Sequence, residues 1–333
     1  MNNKKLAIFG PYPPPLGGMS VHIQRMEPFL IATGIQYTIF NHGYFQKENV
    51  IATNKSPFFY LKILFNRKFD YIHFHQIFPF EFLFYFLFSR INKTPLLITI
   101  HAETLFKFSK RKLNLILFFI KQTKRMDIIS VSENLNDLLV KNEINSIFLP
   151  AYVPPSNVNF VPLEGDGRID FLFSMWKFNE HNANGTYNTP LIFEFLSKNK
   201  HTYRMLFLIG DELESDRSYL NKLLEEYDIV DSVIVLYGKN LVDYVQNCRF
   251  LLRTNRIDGY GVSLQEAMDL GVPALATSVC TRPKGTVLFK NDDLEDMKQK
   301  INYVISQKPK DLLRHKEELT DHLKLLKIYK NNL

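Results

Sequence analysis

The sequence is poor in the features that mark secreted, disulfide-bonded or membrane-spanning proteins. It has only two cysteines, Cys248 and Cys280, which lack the CxxC spacing of zinc and redox sites. Its most apolar segment, 78–91, is too short to cross a bilayer and carries Glu81. The first residues lead directly into a strand, without the apolar run and cleavage site of a signal peptide. We therefore expect a cytoplasmic protein with no disulfide scaffold and no structural zinc.

Length and composition predict an ordinary globular protein with an uneven distribution of charge. At 333 residues the chain fits two domains, and 46% hydrophobic and 23% charged residues exclude disorder. Residues 1–150 hold 18 Lys and Arg against 9 Asp and Glu, whereas the rest holds 23 against 25. A basic first half favours an anionic partner and says nothing of the fold.

Apolar runs alternate with helical patterns throughout the chain, which predicts two α/β domains with parallel sheets. The first half has predicted strands at 6–9, 37–40, 71–75, 96–101, 127–131 and 147–149. Those of the second half are 169–173, 205–209, 233–236, 250–252, 274–276 and 286–289. The Pro- and Asn-rich stretch after residue 150 is the natural boundary, since such segments form linkers. We predict domains at 1–152 and 168–311, a linker at 153–167, and a carboxy-terminal helical segment at 312–333 that braces the first domain.

Paired glycines, Gly17 and Gly18, follow the first strand in a proline-rich loop. Glycine lets the backbone approach a pyrophosphate or a sugar, although turn formation alone would also use it. The pattern is not G-x-G-x-x-G, so it argues against a dinucleotide cofactor.

Histidines lie at the ends of two predicted strands. His73 and His75 point to one face of their strand, but no acid or cysteine is spaced to complete a metal site. His101 ends the next strand, where ligands of open α/β sheets bind. His101 therefore either contacts a ligand or is an ordinary buried histidine.

A glycine-bearing loop, a short helix and a buried strand follow one another at 258–276. A helix start preceded by such a loop offers N–H groups to a phosphate, and Asp258 and Glu266 flank it. The alternative is structural, because Ser263 and Glu266 have the spacing of a capping box.

A longer sequence motif that contains this loop and helix resembles the donor site of family 4 glycosyltransferases of the GT-B fold. It comprises Arg253, Asp258-Gly259, Glu266, Gly271-Val272-Pro273 and the run 282–285, and it is similar to a subgroup from bacterial surface-polysaccharide clusters. The proline-rich loop at Gly17 and Gly18 matches the same family. The resemblance implies two facing Rossmann-like domains with an interdomain cleft. It also implies transfer, with retention of configuration, of a sugar from a nucleotide diphosphate to a saccharide or lipid-linked saccharide.

The family's functional residues fall on positions of this chain. The resemblance implies catalytic roles for His101 and Asp258. His101 would lie at the acceptor side, and Asp258 would bind hydroxyl groups of the donor sugar. Glu266 would contact the ribose. Most relatives have an arginine and a lysine that clasp the diphosphate after the first strand of the second domain, but here only Lys177 is basic. Arg253 or Arg256 would supply the second cation, since guanidinium suits phosphate. The implied donor loop also includes Gly259, Tyr260, Gly261, Val262 and Ser263.

No Asp-x-Asp stands in a suitable context, so we expect a metal-independent reaction without a cofactor. A chain of this kind would be a hexosyltransferase. Its donor base, sugar and acceptor cannot be read from these residues.

The apolar segment 78–91 and the next helical segment, 107–125, which has a basic flank, suit shallow docking on an anionic membrane surface. Ordinary core-facing helices with charged ends are the alternative. Two other functions remain open, a nucleotide-sugar 2-epimerase of the same fold and a non-catalytic partner with a degenerate site. Nucleic-acid binding lacks a recognition motif despite the pI of 9.1.

Overall fold

A computed structural model describes most of the chain. The described residues are 4–14, 16–54, 56–76, 81–101, 105, 108–163, 169–199, 202–211, 214–316 and 318–333. Parts of three predicted features therefore lie outside them: residues 78–80 and 107 of the proposed membrane segments, and the end of the predicted linker at 164–167.

The chain divides into two compact units, each with its own sheet and core. The first holds residues 4–14, 18–153 and 319–333, and the second holds 16–17 and 154–318. The chain thus rejoins the first unit at residue 319, after Leu312 has packed into the core of the second unit.

The first unit is a seven-stranded sheet in the order β3-β2-β1-β4-β5-β6-β7. Its strands are β1 (Lys5–Gly10), β2 (Gln36–Asn41), β3 (Val50–Ala52), β4 (Tyr71–Gln76), β5 (Leu96–Ile100), β6 (Met126–Ser130) and β7 (Ile147–Phe148). Its helices are α1 (Gly18–Ala32), α2 (Pro57–Phe65), α3 (Glu81–Ile91), α4 (Lys110–Gln122), α5 (Glu133–Lys141) and α12 (Asp321–Asn332). The ladders between these strands are parallel.

Helices cover both faces of this sheet, as a parallel sheet requires. The apolar residues of α2 to α5 form one core with Phe9 and Phe74 of the sheet. On the other face, α1 and α12 pack on Leu6 and Ile8. The hydroxyl of Tyr329 on α12 lies 2.6 Å from His73 Nδ1, which ties the end of the chain to β4.

The second unit is a six-stranded parallel sheet in the order β10-β9-β8-β11-β12-β13. Its strands are β8 (Ile169–Lys177), β9 (Met205–Asp211), β10 (Val233–Tyr237), β11 (Cys248–Arg253), β12 (Ala274–Thr277) and β13 (Val287–Phe289). Its helices are α6 (Thr189–Lys198), α7 (Glu214–Glu226), α8 (Leu241–Tyr244), α9 (Val262–Asp269), α10 (Leu294–Ser306) and α11 (Pro309–Leu312).

The predicted fold class is confirmed, because both units are α/β layers around parallel sheets. Each of the twelve predicted strands coincides with an observed one, and within the described residues only β3 was not predicted. Among the described residues, no helix is both long and apolar enough to cross a membrane.

Candidate active site

The predicted donor residues lie where the strand order of the second sheet reverses. From the central strand β8 the chain moves to β9 on one side and later to β11 on the other, and ligands of open α/β sheets bind at such a point. Two loops meet there. Thr254 Oγ1 donates to the carbonyl oxygen of Tyr187 at 2.6 Å, and the amide of Arg256 donates to that of Thr186 at 2.9 Å.

Asp258 is held between two arginines. Arg253 forms a fork with it, in which Nε donates to Oδ2 at 2.5 Å and Nη2 to Oδ1 at 2.8 Å. Arg282 Nη1 also donates to Oδ2. The exposed side-chain fractions are 18% for Arg253, 10% for Asp258 and 2% for Arg282, so the group is buried. We call these three residues the arginine–aspartate cluster.

The cluster carries a net positive charge. Burial alone would raise the pKa of Asp258, but the guanidinium groups of Arg253 and Arg282 outweigh it and hold that pKa below its ordinary value. Burial alone would lower the pKa of Arg253, and the Asp258 carboxylate reverses this shift as well. Asp258 and Arg253 are therefore ionised at neutral pH. Because an arginine side chain stays protonated in proteins, the two arginines and one carboxylate leave a net positive charge on the cluster.

Helix α9 begins beside the cluster, at a glycine that no other residue can replace without strain. Gly261 precedes the helix with φ at +83°, and a Cβ there would lie 2.8 Å from Leu264 Cδ1 and 2.9 Å from Arg282 Nη1. The N-cap residue is this glycine, which has no side chain with which to cap the helix. The capping-box alternative is therefore wrong: Ser263 lies inside the helix, and its hydroxyl accepts a hydrogen bond from Arg253 Nη1 at 3.2 Å.

Several other predicted donor residues surround this point. Tyr260 and Glu266 are buried, and the latter lies one turn into α9, whereas Val262 and Ser263 are half-buried. The amide of Gly259 donates to Asp258 Oδ1 at 3.1 Å.

Lys177 and Arg256 each have an acidic neighbour of their own. Lys177 ends β8 with its Nζ 3.9 Å from Asp216 Oδ2. The Arg256 guanidinium pairs with Asp292 at 2.6 Å and is half-exposed. It also donates to the carbonyl oxygen of Asn184, so it fastens the two loops together.

The first unit brings four histidines together at the reversal point of its own sheet. His75 Nδ1 lies 2.9 Å from His101 Nε2, and His22, from α1, stacks edge-on against both rings at centroid distances of 5.4 and 6.2 Å. The rings of His73 and His75 are 4.1 Å apart. His73 also lies 2.7 Å, through Nε2, from Thr99 Oγ1.

These histidines are neutral at physiological pH. Burial lowers the pKa of His22 to about 4 and that of His101 to about 3, and the backbone bond from His22 to Ala151 only partly opposes the effect. Burial and the neighbouring rings also keep the pKa values of His73 and His75 well below the ordinary value. Each neutral ring has one N–H donor and one acceptor nitrogen. Within the described part of the chain, no set of three or more His, Cys, Asp and Glu side chains is arranged to hold a metal ion.

The paired glycines fall at the start of α1. Gly18 is the first residue of that helix, and a Cβ added to it would meet no atom within 4 Å. The neighbouring protein atoms therefore do not require glycine at position 18.

Comparison with solved structures assigns the architecture. The chain superimposes on the Anabaena protein HepE in complex with UDP and glucose with a TM-score of 0.70 and 12% identity, covering 98% of this chain and 100% of that one. For the sucrose-phosphate synthase of Thermosynechococcus elongatus the TM-score is 0.72 at 12% identity, with 98% of each chain covered. The lipopolysaccharide outer core galactosyltransferase WaaB gives 0.65 at 16%, over 99% of this chain and 100% of that one.

The chain has the GT-B fold. Residues 186–319, which include the arginine–aspartate cluster and α9, match the family model of glycosyl transferases group 1. No curated protein is a significant match in sequence. The GT-B fold and the family match together support a glycosyltransferase.

Two parts of the candidate site could not be assigned from the sequence. The sequence indicated Arg282 only as part of the motif that resembles the family. Nothing in the spacing of the two residues shows that Arg282 contacts Asp258, 24 positions earlier. His22 is one of several buried polar residues on α1, with Ser20, Arg25 and Glu27, so no local pattern distinguishes it. Its contacts with His75 and His101 depend on the tertiary structure.

Proposed function

We propose that the protein is a retaining, metal-independent glycosyltransferase, which moves a hexose from a nucleotide diphosphate to a saccharide or lipid-linked saccharide acceptor in surface-polysaccharide synthesis. The observation that carries the proposal is the net positive arginine–aspartate cluster at the start of α9, at the reversal point of the second sheet.

The cluster suits the departing nucleotide diphosphate. Sugar transfer leaves negative charge on the diphosphate, and fixed donors that face this charge lower the barrier. Arg253 is the more exposed of the two arginines, with 18% of its side chain exposed against 2% for Arg282, so it is the candidate for contact with the diphosphate. The uncapped first turn of α9 adds N–H groups and the positive end of the helix dipole. Lys177, at the end of the neighbouring β8, is the second candidate cation.

Asp258 has a positioning role in this arrangement. Its two oxygens accept from Arg253, Arg282 and the amide of Gly259, which occupies about four lone-pair positions. A contact to a donor hydroxyl, as the resemblance implies, requires one of these bonds to yield. We therefore assign to Asp258 the orientation of Arg253, and to Glu266 the ribose contact.

His101 and the paired glycines complete the proposal in the first unit. A neutral imidazole can accept or donate a single hydrogen bond to a sugar hydroxyl, and the bond from His75 restricts the tautomer of His101. The open space over Gly18 is consistent with close approach of a ligand. HepE binds UDP-glucose and WaaB is named a galactosyltransferase of the lipopolysaccharide outer core, which supports a hexose donor and a saccharide acceptor.

The test is a transfer assay with radiolabelled UDP- and GDP-hexoses, with and without lipid-linked saccharides, in the presence of EDTA. Acceptor-dependent transfer with the donor's anomeric configuration is expected. Release of free sugar without an acceptor would favour the 2-epimerase. Failure of every nucleotide sugar to bind would favour the non-catalytic partner.

Substitution of Glu266 by Gln tests the ribose contact separately. We expect loss of donor binding in a variant that still folds, because the amide keeps the shape of the buried side chain, and melting curves separate this loss from any change in stability. Asp269→Asn is the matched control, since Asp269 lies on the same helix and pairs with Lys316 at 3.0 Å, away from the cluster. Equal donor affinity in the two variants would contradict the assignment.

A further inference from the structure

Three adjacent helices of the first unit present an apolar outer surface. Helices α2, α3 and α4 lie on the same face of the sheet and pack side by side. Tyr60 meets Phe84 at a ring distance of 5.3 Å, and Phe86 meets Phe119 at 5.7 Å. Their inner faces already fill the core, so the outer residues are additional to what the fold needs.

Helix α2 carries the most exposed of these residues. Phe58, Leu61 and Phe65 are spaced by three and four positions, so they form one row along the helix. Their exposed fractions are 80%, 55% and 69%.

Helices α3 and α4 continue the surface. Leu83, Leu87 and Ile91 follow one another at intervals of four along α3, and Leu115 and Phe118 are one turn apart on α4. All five are exposed. Scattered apolar residues are ordinary on a protein surface, but rows on three neighbouring helices form a patch of the kind that marks an interaction site. We call it the α2–α4 face.

Positive charge surrounds this face. Residues 55–125 contain 13 of the chain's 41 lysines and arginines but only three acids. Eleven of these basic residues are described and all are exposed. Of the two described acids, Glu81 is buried beside Tyr85.

Eight of the eleven basic residues lie in or just after the last turns of the three helices, whereas Lys110, Arg111 and Lys112 lie at the start of α4. These helices run in the same direction, because each connects two parallel strands. Lys68 follows α2, Lys93 follows α3 and Lys124 follows α4, so the positive side chains border the apolar rows at the edge where the strands begin. Long lysine side chains can extend from an apolar surface to a polar one.

We propose that the α2–α4 face docks on an anionic phospholipid bilayer. Apolar rows that enter the interface, bordered by lysines that reach lipid headgroups, are the pattern of a protein that lies on a membrane. A second copy of the chain fits poorly, because the same positive charge would face itself. Nucleic acid would satisfy the charge and leave the apolar rows in water.

The experiment is sedimentation of the full chain with vesicles, without any donor or acceptor, so that its outcome is independent of the proposed transfer reaction. Binding to phosphatidylglycerol-containing vesicles and little binding to pure phosphatidylcholine are expected. The double variant Leu115→Gln, Phe118→Gln should weaken the binding at least about tenfold, since two apolar side chains no longer enter the interface. Lys93→Glu, Lys124→Glu should weaken it by a similar or larger factor at low salt, and much less at 0.5 M salt.

The matched control lies on the opposite face of the same unit. Leu323 and Lys327 are exposed on α12, and Leu323→Gln, Lys327→Glu should bind vesicles as the wild type does. Equal binding to both kinds of vesicle, no binding, or equal losses in control and test variants would overturn the proposal. So would light scattering that shows a dimer broken by Leu115→Gln, Phe118→Gln, because the face would then be an interface between copies.

Discussion

Replacing Asp258 by Asn should unfold the second unit at markedly lower denaturant concentrations. The substitution keeps the size of the side chain but removes the charge that two buried guanidinium groups share. The asparagine amide group also turns N–H donors toward arginine N–H donors, and its single carbonyl oxygen cannot satisfy both arginines. Arg253 and Arg282 would then repel each other in a site from which water is largely excluded.

The magnitude follows from the burial of the cluster. Removing one partner of a buried ion pair costs about 3–5 kcal/mol, and the side chain of Asp258 is only 10% exposed. For a unit of this size the loss corresponds to a fall of about 6–20 °C in melting temperature. Trp176 is the only tryptophan and lies at the end of β8, so urea unfolding followed by its fluorescence reports on the second unit.

Asp292→Asn is the matched comparison. Asp292 also pairs with an arginine, but its side chain is 47% exposed and that of Arg256 is 38% exposed. Asparagine tolerates the left-handed backbone at this position, where φ is 57°, so we expect a loss of at most about 1 kcal/mol. The reasoning fails if the two variants lose similar amounts of stability, or if Asp258→Asn costs less than about 1 kcal/mol.

Three further results are expected. Gly261→Ala should cost more than about 1 kcal/mol in the same urea assay, because its left-handed backbone and its contact with Arg282 Nη1 both exclude a Cβ; unchanged stability would contradict this. The free energy of unfolding should fall as the pH is lowered from 6.5 to 5, by up to about 1.4 kcal/mol per pH unit for each of His22 and His101. The reason is that histidines of the unfolded chain take up protons in this range, whereas the folded ones do so only near pH 4 and 3. A flat profile in urea titrations over this window would refute the buried neutral state. Burial raises the pKa of Cys248 to about 12, so a thiol reagent at pH 8 should react rapidly only with the half-buried Cys280. The rapid phase of the modification should disappear in Cys280→Ser.

The sheet architecture was readable from the sequence because both sheets are parallel and buried. Buried parallel strands are continuous apolar runs, such as 96–100 and 205–209, and the intervening helices show a helical period. The strand β3, Val50–Ala52, was not predicted. The segment 181–186 forms a π-helix whose Asn- and Gly-containing sequence has no apolar period.

The candidate site was readable only in part. Local spacing indicated the loop and the short helix at 258–269, but spacing alone could not decide between a capping box and a ligand site. The structure excludes the capping box, because the left-handed Gly261 places the helix start ahead of Ser263. The partners of Asp258 and of His101 are set by tertiary packing, and no local pattern encodes them.

The proposed activity depends on a contact between Arg253, the more exposed arginine of the cluster, and the diphosphate of a nucleotide sugar. Isothermal titration of UDP, GDP and their hexose derivatives into the wild type, Arg253→Gln and Arg256→Gln measures it most directly, with melting curves to show that each variant is folded. We predict that at least one nucleotide binds the wild type and Arg256→Gln with similar affinity, and that Arg253→Gln remains folded but no longer binds it. Unimpaired binding by folded Arg253→Gln, or no binding of any nucleotide by the wild type, would contradict the claim.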